Sequence, residues 1–108
     1  NIMDRTAEKE LLPLAQERGI ATMINRPYQR GSLFSKSRGK SLPGVASEIC
    51  CNSWGQFYLK FILGHPAATC VIPATTKVKH MQDNMLANYG QLPDKRQRAE
   101  MLRAFEAL

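Results

Sequence analysis

The stretch Ile20-Ala21-Thr22-Met23-Ile24-Asn25, closed by Pro27, decides the fold class. It is uncharged, enriched in β-branched side chains and free of the polar alternation that marks a strand with one wet face, so it reads as a strand buried on both faces. A second stretch of the same kind, Ala68-Thr69-Cys70-Val71-Ile72, ends at Pro73. Apolar character on successive residues is the pattern of a parallel sheet covered by helices.

Helical patterns flank both strands. Upstream, Glu8 to Arg18 places Leu11, Leu12, Leu14 and Ala15 on one side, with Pro13 near the first turn and Gly19 at the position past the helix end that needs positive φ. Between the strands, Trp54, Phe57, Tyr58, Phe61 and Ile62 recur at helical spacing. They predict a core helix capped by Ser53 and ended by Gly64 and Pro66. Downstream, Thr75 or Thr76 caps a helix over Val78 to Asn88 with Val78, Met81, Met85 and Tyr89 turned inward and Gly90 as its stop. Leu92-Pro93-Asp94 opens a last helix, Lys95 to Leu108, whose stripe is Met101, Leu102, Phe105 and Leu108. The order helix, strand, helix, strand, helix, helix predicts a single α/β domain over residues 1–108 with about two parallel strands and four main helices. Residues 26–44, with three Gly, two Pro and no sustained period, read as one long basic loop.

Composition sets the outer limits. At 108 residues and 44% hydrophobic content the chain has too much apolar material for disorder and room for one modest core. No apolar run approaches the roughly 18 residues of a membrane span, and no basic stretch leads into an apolar one at the N-terminus, so a cytoplasmic protein is expected. Cys50 and Cys51 are adjacent and Cys70 stands apart. That spacing gives no disulfide framework and no metal motif, and buried free thiols are the expectation. The chain begins at Asn1 rather than Met, which reads as a piece of a longer protein or a processed product.

The charge is concentrated. Arg18, Arg26, Arg30, Lys36, Arg38 and Lys40 fall between residues 18 and 47 with no acidic residue among them, and they account for the whole net charge of +6. In βα units the chemistry sits where a strand hands over to the next helix, because helix N-termini present free N–H groups and partial positive charge. Here the handovers are Asn25 to Leu33, with Arg26, Arg30 and Gly31, and Ala74 to Asn84, with Thr75, Thr76, Lys77, Lys79 and His80. Two cationic loops at the same end of neighbouring strands suit a phosphate. Two solvated basic loops are the plainer reading of the same pattern. His65 and His80 have no companion Cys or acidic pair, so no metal is expected. No Ser or Cys has a nominated base. Only Tyr28 and Phe34 interleave with the cations, a poor pattern for nucleic-acid binding.

Taken together, the pieces resemble the C-terminal half of the aldo/keto reductase family. The resemblance is carried by Asn1-x-x-x-Arg5, Glu10-Leu11-Leu12-Pro13-Leu14-Ala15-x-x-x-Gly19-Ile20, Arg26-Pro27-x-x-x-Gly31-x-Leu33 and Trp54-x-Gln56-Phe57-x-Leu59-Lys60. It continues through His65-Pro66-x-x-x-Cys70-Val71-Ile72-Pro73-x-Thr75-x-x-x-x-His80-x-x-x-Asn84. The resemblance implies part of a (β/α)8 barrel, two strands with their helices and the C-terminal helix, from an oxidoreductase that reduces carbonyls with NADP(H). It implies a pyrophosphate cradle on Pro27, Arg30, Gly31 and Leu33, and an adenosine and 2′-phosphate site on Thr75, Thr76, Lys77, His80, Asp83 and Asn84.

Departures from the family pattern shape this expectation. Ala74 and His80 stand where many relatives have Lys and Arg on the 2′-phosphate, which leaves NAD(H) open beside NADP(H). Asn25 stands where many relatives stack an aromatic ring on the nicotinamide. The family's catalytic Asp, Tyr, Lys and His belong to its N-terminal half, and Tyr28, Tyr58 and Tyr89 do not match that motif, so no catalytic residue is assigned and no activity is expected of this chain alone. Two strands with open edges should be completed by association, with a second copy or with a separate N-terminal half, or else repack as a mainly helical domain; association is the favoured outcome. The alternative is a stand-alone α/β interaction module that binds no nucleotide.

Overall fold

Ser53 starts the helix around which the molecule is built. In the computed structural model, which describes all residues from Asn1 to Leu108, its Oγ accepts from the Gln56 amide at 3.1 Å, an N-cap that satisfies one of the orphan donors of the first turn. The helix runs Trp54–Leu63 and closes at Gly64, as the sequence predicts. The expected stripe is core, with Phe57 and Tyr58 fully buried and Trp54 half-buried. The opposite side, Gln56, Leu59 and Lys60, is buried as well. This helix is therefore central, with neighbours on every face.

In chain order the elements are α1 (Leu11–Glu17), β1 (Met23–Ile24), α2 (Ser32–Ser37), α3 (Val45–Glu48), α4 (Trp54–Leu63), β2 (Cys70–Val71), α5 (Val78–Met85) and α6 (Lys95–Glu106), with single 3₁₀ turns at Thr6–Glu8, Gln29–Gly31 and Leu86–Asn88. The chain is thus a helix-rich α/β protein with a two-stranded parallel sheet and six α-helices. The strands pair Met23 with Cys70 and Ile24 with Val71. The Cys70 amide donates to the Thr22 carbonyl at 3.1 Å and the Ile72 amide to Ile24 at 3.0 Å. No helix is long and apolar enough to cross a membrane.

Several expectations need correction. The strands are two residues each, shorter than the apolar runs, and they are not buried on both faces. Ile20 is 58% exposed, Met23 67% and Ile72 47%, because a ladder with one partner covers one edge only. The first helix begins at Leu11, not Glu8, and of its apolar side only Leu12 and Ala15 are buried. Gly19 does take the positive φ expected of it, at 65°. The basic stretch 26–44 is not one loop: it contains α2, held by fully buried Leu33, and α3 follows directly. That makes six helices where four main ones were expected.

The face of α5 is reversed. Val78, Met81, Met85 and Tyr89 point outward, and Asn84 and Ala87 are the buried residues. Lys77, not Thr75 or Thr76, occupies the N-cap and makes no side-chain cap bond. Of the cysteines only Cys51 is buried, while Cys50 is exposed and Cys70 intermediate. Burial pushes the Cys51 thiol up to about 11.

Helix α6 starts where expected, after Asp94, but ends at Glu106 rather than Leu108, and of its expected stripe Leu102 and Leu108 are only half-buried. Asp94 accepts from the Gln97 amide at 2.8 Å, and the Gln97 side chain accepts from the Asp94 amide at 3.0 Å, a complete capping box. Met101 and Phe105 are buried against the core of α4. Asp94→Ala is expected to destabilise the protein by about 1 kcal/mol. A urea midpoint that does not move would show that the box contributes nothing.

Candidate functional site

The residues after each strand meet at one end of the sheet. Arg26 has φ 47°, and Gln29, Arg30 and Gly31 follow with φ 49°, 55° and 90°. Three non-glycine residues in the left-handed region within five positions cost on the order of 1–2 kcal/mol each, and such cost clusters at binding loops. The turn projects Tyr28 toward α4 and α5. Its ring packs on Phe34 of α2 with centroids 4.8 Å apart, and Phe34 in turn meets Tyr58 at 5.8 Å.

A cleft of about 830 Å³ opens between this turn, the start of α4 and the start of α5. One side carries Arg26, Pro27, Tyr28, Arg30, Gly31 and Phe34; the floor carries Ser53, Trp54 and Gly55; the far side carries Ile72, Ala74, Thr75, His80, Asp83 and Asn84. A cavity of this size, with aromatic walls and a few convergent polar groups, has the character of a small-molecule site.

Asp83 organises the polar side. Its two carboxylate oxygens accept from Ser53 Oγ at 2.6 Å and from Gln56 Nε2 at 2.8 Å. The carboxylate therefore sits at the N-terminus of α4, where partial positive charge favours an anion. That end of α4 already has its negative partner, which leaves Arg26 and Arg30 as the cationic groups of the cleft, with the His80 imidazole across from them. Thr75 Oγ1 accepts from the Lys77 amide at 3.1 Å and so shapes the approach to α5.

Gly55 is the close-approach point. A Cβ there would lie 3.2 Å from Asp83 Oδ2 and 3.4 Å from the Tyr28 hydroxyl, so the absence of a side chain lets both groups reach the first turn of α4. The Tyr28 hydroxyl donates to Asn84 Oδ1 at 2.6 Å and lies 3.4 Å from the Gly55 carbonyl. Burial, and after it the nearby Asp83 charge, raises the Tyr28 phenol above the usual tyrosine range. It is a neutral donor throughout ordinary pH.

Of the ten residues singled out from the sequence, Pro27, Arg30, Gly31, Thr75, His80, Asp83 and Asn84 line the cleft. The other three stand elsewhere. Leu33 is fully buried and its carbonyl accepts from the Tyr58 hydroxyl at 3.1 Å; Thr76 and Lys77 are exposed outside the lining. Sequence reasoning missed Tyr28, Ser53, Trp54 and Gly55 as site residues. Ser53 carries the one signal that points to them, since a capping residue marks a helix N-terminus and helix N-termini are where ligands gather. No group of three or more His, Cys, Asp and Glu side chains is placed to hold a metal ion. No family model matches the chain, and no curated protein matches it.

Proposed function

We propose that this chain is the cofactor-binding segment of an aldo/keto reductase-like oxidoreductase, a part of a (β/α)8 barrel that binds NADP(H) or NAD(H) and is completed by association. The observation that carries the reading is the meeting of both strand-to-helix handovers in one cationic, aromatic-walled cleft. The residues present would suit such a group: Arg26 and Arg30 would supply charge for a pyrophosphate, the glycine at 31 keeps the turn open to backbone approach, and Asp83, Asn84 and His80 line the side where the adenosine end would lie. When bound, the nicotinamide supplies hydride to a carbonyl. This chain's residues bind and orient; the general acid belongs to the barrel's other half. Exposed Ile20, Met23 and Ile72 beside the open ladder favour association, with a second copy or a separate N-terminal half. The cytoplasm is the compartment in which NADPH would be met.

The test is the thermal midpoint of the 108-residue chain with and without millimolar NADPH. A ligand that binds only the folded state adds about 2.7 kcal/mol when present at a hundred times its Kd, so a clear rise is expected. Arg30→Ala is expected to abolish most of it. A rise with NADPH that NADH fails to match assigns the 2′-phosphate to His80 and its neighbours. No rise with either nucleotide sinks the cofactor reading and favours the stand-alone interaction module.

A further inference from the structure

We propose that two copies of this chain pair about a two-fold axis, the outward face of α5 on each copy lying in the groove beside β1 on the other. The proposal rests on the association part of the reading above and is independent of the cofactor. The groove, about 1050 Å³, runs between α1 and the open edge of β1. Leu11, Leu14, Ile20 and Met23 line it, and all four are exposed. Asp4, Lys9, Glu10 and Arg18 stand around them, and an apolar centre inside a mixed polar border is the anatomy of a protein interface. On α5, Val78, Met81 and Met85 recur at i, i+3 and i+7 and are exposed as well, a second apolar stripe without a neighbour.

Area and shape choose the occupant. The chain exposes 6879 Å², whereas a folded monomer of 12.1 kDa exposes about 6000 Å². The surplus over that scaling, on the order of 850 Å², matches the roughly 800 Å² that each partner buries in an interface of standard size. A separate barrel half would have to cover both sheet edges, an obligate interface of about 2000–5000 Å² in total, which is more than the surplus accounts for. Two concave grooves set face to face leave their centres empty, whereas an amphipathic helix laid in a groove fills it, a recurrent mode of recognition. One chain carries both the helix stripe and the groove, so two copies make two equal contacts and the assembly closes.

The experiment is sedimentation equilibrium of the 108-residue chain at about 100 µM, well above the micromolar upper end for interfaces of this size. Wild type is expected to be a dimer. Met85→Lys spoils the stripe and Leu14→Glu spoils the groove; each puts a charge into an apolar contact and is expected to weaken the dimer by about a hundredfold or more. Both positions are exposed in the single chain, so an unchanged urea midpoint at low concentration certifies the fold of each variant. Mixing the two restores dimers, because the α5 stripe of the Leu14→Glu chain is intact and so is the groove of the Met85→Lys chain, while the spoiled contact sets Lys against Glu. Ala99→Glu, on the exposed side of α6, is expected to leave the dimer unchanged. A mixture that stays monomeric overturns the pairing of helix with groove, as does a dimer that tolerates both substitutions. An open series of larger assemblies overturns the two-fold closure. A monomeric wild type overturns the inference, and the cofactor reading is then judged separately by the NADPH midpoint.

Discussion

Lys60→Met is expected to destabilise the protein by about 2–4 kcal/mol, lowering the urea midpoint without changing the slope of the transition. Lys60 is fully buried in the middle of α4, and no carboxylate meets it. Its ammonium donates instead to three backbone carbonyls, Ile49 at 2.5 Å, Tyr89 at 2.7 Å and Gln91 at 3.2 Å. An ammonium has three protons and no acceptor capacity, so the three bonds use it completely. Methionine has nearly the same length and flexibility and would fill the space, which relieves the desolvation of the charge but strands the acceptors. The asymmetry of hydrogen-bond energetics decides the sign: removing one partner leaves buried groups unpaired at about 1–3 kcal/mol each. The Tyr89 and Gln91 carbonyls lie near the surface and can turn to water. The Ile49 carbonyl cannot, and with the tether gone the turn after α3 and the segment before α6 lose their common anchor on α4. Chemical denaturation monitored at Trp54 gives the number. A loss under about 0.5 kcal/mol would show that the charge costs the fold as much as the three bonds return.

The second large effect is expected at Gly64, where alanine should destabilise by about 2 kcal/mol although local rules favour it. Gly64 ends α4 with φ −73° and ψ −9°, a conformation any residue adopts. Replacing a glycine in such a conformation normally stabilises by about 0.4–1 kcal/mol through the unfolded chain. A Cβ here, however, would stand 2.6 Å from Pro93 Cγ and 2.7 Å from the Pro93 carbonyl oxygen. The first belongs to a rigid ring and the second to backbone, so neither can swing aside. Overpacking of this kind costs about 1–3 kcal/mol, and the clash outweighs the entropy. Gly44 is the control, since its φ is −54° and nothing lies within 4 Å of a Cβ there. Gly44→Ala is expected to be neutral or slightly stabilising in the same assay. Equal effects at the two positions would refute the steric argument.

The helices that sequence pattern places well are those whose signals are local. Trp54 to Ile62 repeats every three or four residues and begins at a serine; α6 begins at a capping box whose two partners are three residues apart. Helix α2 was hidden because six residues flanked by glycines carry one buried leucine and a buried serine four places on, too little to show a period. The reversed face of α5 has a different cause. Met81 and Met85 are the more apolar side of that helix, but Asp83 is held by groups 27 and 30 residues away and Asn84 by one 56 residues away. Those bonds turn the polar side inward, and nothing within the helix's own window announces them.

The site was legible to a similar depth. Handover position and charge point to Arg30, His80 and their neighbours, and the cleft gathers seven of the ten. What pattern could not supply is the layer that orders them. Tyr28, Ser53 and Gly55 act through a hydroxyl, a hydroxyl and a missing side chain, and each acquires its role only once α4 and α5 are side by side.

The left-handed run at Gln29 and Arg30 has a consequence for the thermodynamics of recognition. A loop that must adopt costly angles for its partner can meet that cost at the encounter or in advance. Here the angles are set in the free chain, with the Gly31 amide bonded to the Tyr28 carbonyl at 2.8 Å and the Asn1 side chain donating to the Arg26 carbonyl at 3.0 Å and to Gln29 Oε1 at 2.7 Å. The ordering entropy of that segment belongs to folding. On the proposed reading, an incoming anion would find the rim already shaped, and its affinity would not be diminished by the immobilisation of a floppy segment. Preorganisation of this kind also ties the shape of the rim to Asn1, far from the turn in sequence, because its side chain is one of the groups that hold the turn in its strained form.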